Sequence, residues 1–227
     1  MSLVSTIALF SLPLGLLCWI GLRDRRILRA RRRNLLDDCA RLFDRYALTY
    51  AGDDFPVLSG RSGARNVDVR LISDTMTIRR LPQLWLQVTV LQRLPGVTAL
   101  AILVRPSGYE FYSLTSGLDH VIETPATFPR ELIIRAKDRK MAGFLPKMAP
   151  TLARILSDER VKEVAITSNG LRIIRQASEG RRGDYLLLRQ AVFDDASVSA
   201  ADLEQVFRDI DALSESIVRT EKEEAST

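Results

Sequence analysis

The order of apolar and charged positions separates the first 33 residues from the rest of the chain. Leu3 to Leu22 carry no charged side chain, and the eleven residues from Arg23 to Arg33 then carry seven arginines and one aspartate. Twenty residues at about 1.5 Å of rise per residue form a helix about 30 Å long, which matches the hydrocarbon core of a bilayer. The pattern therefore predicts one N-terminal transmembrane helix.

A signal sequence fits this apolar run less well than an uncleaved anchor does. A cleaved signal peptide has a basic segment before its apolar run and small residues at its cleavage site, but only Met1 and Ser2 precede this run and no A-x-A pattern follows it. A lipoprotein signal needs a small residue just before the modified cysteine, and Leu17 precedes Cys18. A soluble helix buried against the domain stays open as the alternative to an anchor.

The arginines predict how the chain is oriented. Positive residues beside a membrane helix stay in the cytoplasm, and no charged side chain precedes the run. We therefore expect the N-terminus outside and the main domain in the cytoplasm. The same side chains can attract anionic lipid headgroups. The residues expected at the lipid surface are Arg23, Arg25, Arg26, Arg29, Arg31, Arg32 and Arg33.

Apolar positions change their spacing after the arginines. Those from Leu35 to Tyr50 recur at helical intervals, which predicts an amphipathic helix. Between residues 56 and 104, apolar residues alternate in NVDVRLIS and QLWLQVTVLQ and are continuous in VTALAILV. This part predicts strands, joined by turns at GRSGAR and RLPG.

The second half mixes strand and helix patterns. We expect a short strand in RPSGYEFYS, a loop in LDHVIETPATFP and a strand in RELIIRAK. FLPKMAPTLARILSDE has apolar residues at helical spacing, and we place Pro146 and Pro150 at or before its first turn, where proline is tolerated.

The last third carries the clearest local signals. Asn169-Gly170 between two alternating runs predicts a two-residue hairpin, and GDYLLLRQAVF supplies a further strand. Ser199 and Asp202 predict a capping box at the start of a final helix, whose apolar stripe runs from Leu203 to Ile217.

These patterns together predict the α+β class: one N-terminal transmembrane helix followed by a cytoplasmic domain of antiparallel strands with packed helices. We place the anchor and basic run at 1–33, the domain at 34–219 and a frayed polar tail at 220–227. A division of the domain into sub-units at 34–128 and 129–219 is left open.

The charge balance argues against nucleic-acid binding. Of the 33 basic and 28 acidic residues, seven basic and one acidic lie between Arg23 and Arg33, so the rest of the chain carries 26 basic and 27 acidic residues. A nucleic-acid binder has a basic face on its folded domain. We therefore expect no nucleic-acid partner.

The sequence holds few residues of the types that carry chemistry. Cys18 and Cys39 form no disulfide framework, in agreement with a reducing cytoplasm, and they exclude a cysteine-based zinc site. The one histidine, His120, has carboxylates nearby but no nucleophile or further ligands. The acidic pairs at 37–38, 53–54 and 194–195 fit capping or solvation, and GRSGAR lacks the ending of a phosphate loop. We assign no catalytic, cofactor-binding or metal-binding residue.

The order of these motifs resembles that of uncharacterised bacterial membrane-anchored proteins grouped as domains of unknown function. The resemblance rests on LSGRSGARNVDV after a membrane helix, then LIIRAKDRK, FLPKMAPTLARIL, EVAITSNGLRII and LEQVFRDIDALSESI, and it covers most of residues 56 to 218. Ser62 and Ala64 depart from it, since bulkier residues or glycine are expected beside the second glycine. The resemblance implies a bacterial inner (cytoplasmic) membrane protein and no particular activity.

We therefore expect a membrane-anchored cytoplasmic module with a non-catalytic role in protein interaction or assembly, with another protein or as a homo-oligomer. One alternative is an enzyme that binds a metabolite through arginines and carboxylates, which a deep cleft with such groups would favour. A contiguous exposed apolar patch would favour the interaction module. The other alternative is a sensor of anionic lipid that acts through the arginine run.

Overall fold

The structure is a computed structural model that describes residues 3–75, 81–129, 131–183, 191–193 and 198–225. Side chains are described for these residues except 3–14, 17–18, 25 and 220–225. The described residues form an α+β fold, as predicted. Its helices are α1 (Leu3–Arg33), α2 (Asp37–Ala40), α3 (Met141–Leu156) and α4 (Ala200–Ala225). Its strands are β1 (Arg45–Tyr50), β2 (Pro56–Ser62), β3 (Arg65–Asp74), β4 (Gln83–Leu91), β5 (Ala99–Val104), β6 (His120–Ile122), β7 (Leu132–Ala136), β8 (Val161–Thr167) and β9 (Gly170–Glu179).

All nine described strands join one antiparallel sheet in the order β1-β2-β3-β4-β9-β8-β5-β7-β6. The first four strands lie side by side in chain order, as an antiparallel meander. The hairpin of β8 and β9 then lies between β4 and β5, so the two halves of the chain share a single sheet. As a result β1 and β6 are the two edges of the sheet.

The main core lies between one face of the sheet, called here the inner face, and the helices α3 and α4. The alternating residues of β3 and β4 that point to this face, from Val67 to Val90, are buried. The stripe predicted for the last helix is confirmed, because the same cluster buries its members. These are Leu203, Val206, Phe207, Ile210, Leu213 and Ile217.

The segment 105–118 covers part of the opposite, outer face. Tyr112 packs on Trp85 and Ile174, and Leu118 packs on Ala101 and Ala165. A 3-10 helix, Leu114–Gly117, closes this segment, and Ser113 caps it by accepting a hydrogen bond from the amide of Thr115.

The strands predicted between 56 and 104 are confirmed, but the helix predicted through Tyr50 is wrong. Within the predicted stretch, α2 ends at Ala40 and β1 begins at Arg45. Tyr46, Leu48 and Tyr50 also alternate, as in a strand. β1 pairs with β2 over six residues without a bulge, so the strand period and not the helical period describes this segment. Pairing with β2 therefore overrides a pattern that helix and strand both fit.

Three other local predictions are wrong. RPSGYEFYS forms no strand, because Glu110 and Tyr112 are buried against the outer face of the sheet instead. The expected loop after it contains the short strand β6. Pro146 and Pro150 lie inside α3, which begins at Met141. Both prolines are exposed, so water can reach the carbonyl groups that lack an N–H partner.

The predicted hairpin forms with a shifted turn. Thr167 pairs with Gly170, so the two turn residues are Ser168 and Asn169, and neither is among the described residues with positive φ. The prediction that Asn169 and Gly170 are the two turn residues is therefore wrong. The strand predicted in GDYLLLRQAVF lies mostly outside the described residues.

The predicted membrane span forms part of the helix α1. Most side chains of residues 3 to 22 lie outside the described part of the chain. Among the residues that were described, no helix is long and apolar enough to cross a membrane.

Candidate functional site

The last two turns of α1 are bound to the loop between β1 and β2. The guanidinium groups of Arg29 and Arg33 lie 3.1 and 3.0 Å from the carboxylate oxygens of Asp54. Asp54 has a φ of 65°, a conformation that aspartate adopts more readily than most residues. The loop thereby presents one carboxylate to two arginines one helical turn apart.

Arg32 adds contacts of a different kind. It donates to the carbonyl oxygens of Asp53 at 3.1 Å and Ala191 at 3.4 Å, and its guanidinium lies 4.9 Å from the centre of the Phe55 ring. Arg33 likewise lies 4.8 Å from the ring of Tyr50. These stacked cations bind α1 to the end of β1.

The remaining arginines of the predicted lipid-surface set differ in their surroundings. Arg23 stacks on Trp19 at 5.8 Å, Arg26 is exposed, and Arg31 is exposed but has interactions of its own. The side chain of Arg25 lies outside the described residues. The end of α1 that is near the domain therefore binds the domain itself, and Arg23 and Arg26 face solvent.

The outer face of the sheet holds a cleft of about 240 Å³. A β-bulge between Val161 and Glu163 interrupts the alternation of β8. The consecutive side chains of Lys162 and Glu163 therefore both reach the segment 105–118 on the outer face. Bulges commonly redirect side chains in this way beside functional sites. The cleft is lined by Asp74, Gln83, Trp85, Arg105, Ser107, Glu110, Tyr112, Glu159, Lys162, Gln176 and Glu179.

Lys162 and Glu110 form a buried ion pair in this cleft. The amino group lies 2.7 Å from a carboxylate oxygen of Glu110 and donates to the carbonyl of Arg105 at 2.7 Å. The same carboxylate accepts from the amides of Ser107 and Gly108. Burial alone would raise the pKa of Glu110, but the hydrogen bonds from Lys162 and Ser107 lower it to about 2.

Glu163 and Arg172 form a second buried pair on the other side of the segment 105–118. Arg172 donates to Glu163 at 2.7 Å, and Ser113 and the amide of Leu114 donate to its other oxygen. Burial raises the pKa of Glu163, and the charge of Arg172 opposes that shift. Both pairs thus attach the segment 105–118 to β8 and β9.

Two polar atoms in the cleft have no hydrogen-bond partner in the described structure, the indole nitrogen of Trp85 and the hydroxyl of Tyr112. The centroids of the two rings lie 6.0 Å apart. Burial raises the pKa of Tyr112, and the carboxylates of Asp74 and Glu110 add to that rise. A phenol in this state is protonated at neutral pH and is a poor general base.

The polar side chains that line the cleft hydrogen-bond to one another or to main-chain carbonyl groups, rather than pointing together at a place where a substrate could bind. Gln83 donates to Glu179 and accepts from Gln176, and Arg105 donates to the carbonyls of Glu159 and Val161. Buried charges need such partners to offset their desolvation. The arrangement fits the attachment of a segment to the sheet better than it fits acid–base chemistry.

The other candidate residues do not line the cleft. His120 lies at the start of β6, and no three histidine, cysteine or acidic side chains of the described chain are grouped as metal ligands. Asp38 accepts from the amide of Ala200 at 2.7 Å and so caps α4 from a distant part of the sequence. Cys39 is buried beside it, and burial followed by the charge of Asp38 raises its thiol pKa to about 12. Residues 194–195 lie outside the described part.

The edge strand β1 exposes three large apolar side chains close to the end of α1. All six of its residues are exposed, and Tyr46, Leu48 and Tyr50 project from one face with exposed fractions of 52, 37 and 45%. The free edge also carries backbone N–H and C=O groups that no described strand pairs. The alternation in RYALTY is the sequence signal of this surface, but the same residues also fit the helical period predicted from Leu35 to Tyr50.

Comparison with known proteins assigns no family and no function to the chain. No protein-family model and no curated protein sequence matches the chain, which is consistent with the resemblance to an uncharacterised family. The crystal structure of the mycobacterial trehalose monomycolate transport factor A is similar at a TM-score of 0.37 and 12% sequence identity, over 81% of this chain and 96% of that chain. A similarity of this degree supports no statement about function.

Proposed function

We propose that the protein is a membrane-anchored, non-catalytic module that binds a protein by adding a strand to the edge β1. The observation that carries the proposal is the exposure of all six residues of β1, three of them large and apolar on one face. Exposed apolar surface beside free backbone groups marks a site for association.

Strand addition uses the chemistry that β1 offers. An extended segment pairs with the free N–H and C=O groups of the edge, and its alternate side chains pack against those of the edge strand. β1 contains no proline or lysine and pairs with β2 over six consecutive residues without a bulge. Its one charged residue, Arg45, stands at its first position, so most of the strand lacks the usual devices that block such pairing.

The anchor is part of the same proposal. Leu3 to Leu22 carry no charge, the arginines follow on one side only, and this asymmetry supports an N-terminus outside with the main domain in the cytoplasm, at a bacterial inner membrane. The contacts of Arg29, Arg32 and Arg33 with the 53–55 loop would hold the domain against its anchor. The strand β1 ends at this loop, so its binding surface would lie close to the membrane.

The alternatives receive less support. An enzyme would need a group free to act on a substrate, whereas Lys162, Glu110, Glu163 and Arg172 bind one another. A lipid sensor would need free arginines in the basic run, and three of the seven contact the loop between β1 and β2.

Site-specific photo-crosslinking in cells tests the proposal. A photoreactive amino acid in place of Leu48, in the full-length chain, should give a discrete crosslinked product in the membrane fraction. The same residue in place of Arg208, which is exposed on α4, is the matched control and should give none. Equal crosslinking from both positions, or from neither, would reject β1 as the binding surface.

A further inference from the structure

We infer that the strand added to β1 is β1 of a second copy of this chain, paired antiparallel about a two-fold axis at Leu48. This inference rests on the proposed function and names its partner. The sequence of β1, the register of its sheet and the charges at its two ends all favour a second copy.

The apolar residues of β1 match those of a second copy in only one register. Centred on Leu48, Leu48 faces its own copy and Tyr46 faces Tyr50, so all three large side chains of each copy meet those of the other on one face. A shift of the centre to Ala47 or Thr49 leaves one of the tyrosines opposite Asp44 or Gly52.

A slip that places the axis between two residues is worse. Because residues opposite each other share a face, it would put Tyr46 opposite Thr49 and Leu48 opposite Ala47. The apolar stripe of one copy would then continue into the polar stripe of the other. The sequence therefore specifies one self-complementary register.

The charges favour the same register. Arg45 lies directly opposite Arg61 on β2, a like-charge pair, and within the described chain it has no ion-pair partner. In the register centred on Leu48, Arg45 lies opposite Ala51 of the second copy, two residues before Asp53. The side chain of Asp53 caps the amide of Phe55 and is otherwise exposed, so it can receive that arginine.

This arrangement would join two sheets of nine strands into one continuous sheet across the axis. A two-fold interface of this kind is closed, because each copy uses the same strand and no further edge is created. It also covers the exposed apolar side chains of Tyr46, Leu48 and Tyr50.

Cysteine crosslinking of the full-length chain in membranes tests the register. With Cys18→Ser, Leu48→Cys should form a disulfide-linked dimer on mild oxidation, since residues on the axis have Cβ atoms close to disulfide distance. Ala47→Cys and Thr49→Cys should each crosslink several-fold less alone than when the two chains are co-expressed. Cys39 is buried and has a pKa raised to about 12, so it should not contribute.

Charge reversal provides a second measurement that does not depend on oxidation. Arg45→Asp and Asp53→Arg should each reduce co-purification of two differently tagged copies at least fivefold, and co-expression of the two variants should restore it. Leu48→Lys should also abolish pairing while the domain stays folded by circular dichroism, because the residue is exposed in the single chain. Val121→Lys on the other edge strand, β6, is the control and should leave pairing unchanged.

The outcomes separate the inference from the proposed function. If Leu48→Cys yields no dimer while the photoreactive residue at position 48 captures a different protein, strand addition stands and the second copy is excluded. If neither reagent yields a product, both fail. A dimer from Thr49→Cys as abundant as that from Leu48→Cys would reject the register.

Discussion

The amino group of Lys162 lies 2.7 Å from a carboxylate oxygen of Glu110, although the two side chains are only 6 and 4% exposed. The residues are 52 positions apart, and their pairing attaches the segment 105–118 to the outer face of the sheet. A charge at such a depth is tolerated only while its partner remains, because desolvation otherwise dominates. The attachment of the segment 105–118 to the sheet therefore depends on Lys162 and Glu110.

Removing one member of this pair should destabilise the domain more than removing both. We expect Lys162→Met and Glu110→Gln each to lower the free energy of unfolding by about 3–5 kcal/mol, since each leaves a buried group without its partner. The double variant should lose less than either single variant, because neither partner is then left buried without the other. Chemical denaturation of the four proteins measures this coupling, and strictly additive losses would mean that the pair is not coupled.

Acid should weaken the domain through the same carboxylate. The pKa of Glu110 falls from an ordinary value of 4.5 to about 2 in the folded chain. A depressed acid pKa adds stability that is fully present above the unfolded pKa and is lost as pH falls through the folded one. We expect the stability difference between wild type and Glu110→Gln to shrink between pH 4.5 and 2. A difference independent of pH over that range would contradict the assignment.

Local signals predicted more of this fold than contacts between distant residues did. Ser199 does cap the amide of Asp202, and its hydroxyl donates to the Asp202 carboxylate, although the full capping box would use the Ser199 amide instead. That cap lies within three residues, so sequence shows it directly. The capping of α4 by Asp38 lies 162 residues away and leaves no local pattern.

The candidate surface was missed for a related reason. RYALTY alternates like a strand, but apolar residues on either side of it also fit a helical period, and only pairing with β2 decides between the two. The cleft was missed because Glu110, Lys162 and Trp85 come from three separate parts of the chain. The pairing of residues from such distant parts depends on the tertiary structure, and no local sequence pattern indicates it.

Gly170 is required by a close approach between strands. It pairs with Leu91, and a Cβ atom at this position would overlap the carbonyl oxygen of Val90. Gly170→Ala and Gly170→Val should therefore lower the free energy of unfolding by about 1–3 kcal/mol, a typical cost of overpacking. Gly117→Ala is the control, since a Cβ there meets no atom within 4 Å. Equal denaturation midpoints for the Gly117 and Gly170 variants would show that β4 moves to accommodate the added Cβ atom with no loss of stability.

The contact of Asp54 with α1 should control access to the arginine run. Asp54→Asn keeps the backbone conformation but removes the charge that Arg29 and Arg33 share. Exposed ion pairs contribute about 0.2–1 kcal/mol each, so local opening of α1 should rise about fivefold with little change in the thermal midpoint. The measurement is the rate of limited trypsin cleavage after these arginines. Asp53→Asn, whose side chain accepts from the amide of Phe55 instead, should be cleaved at the wild-type rate.

The orientation of the chain should follow from the charges beside the apolar run. A reporter fused after Thr227 should be active when it requires the cytoplasm and inactive when it requires the periplasm. Replacing Arg23, Arg25 and Arg26 by glutamine spares the arginines that contact the loop and should increase the inverted fraction. Periplasmic activity of the unaltered fusion would overturn the cytoplasmic placement of the domain.

The folded domain should not bind nucleic acid. Affinity for DNA or RNA depends on several clustered cations that neutralise phosphates, and residues 34–227 carry 26 basic and 27 acidic residues. Many of the cations are already paired with acids, as Arg154 is with Asp209 and Arg175 with Asp158. Fluorescence anisotropy of a random duplex and a single strand, titrated with this fragment at physiological salt, should stay flat. The control is a fragment that begins at residue 23, whose added arginines should produce weak binding that disappears as salt rises. Tight, salt-sensitive binding by the shorter fragment would show that the fold gathers its arginines on one face, and the protein-interaction proposal would have to give way.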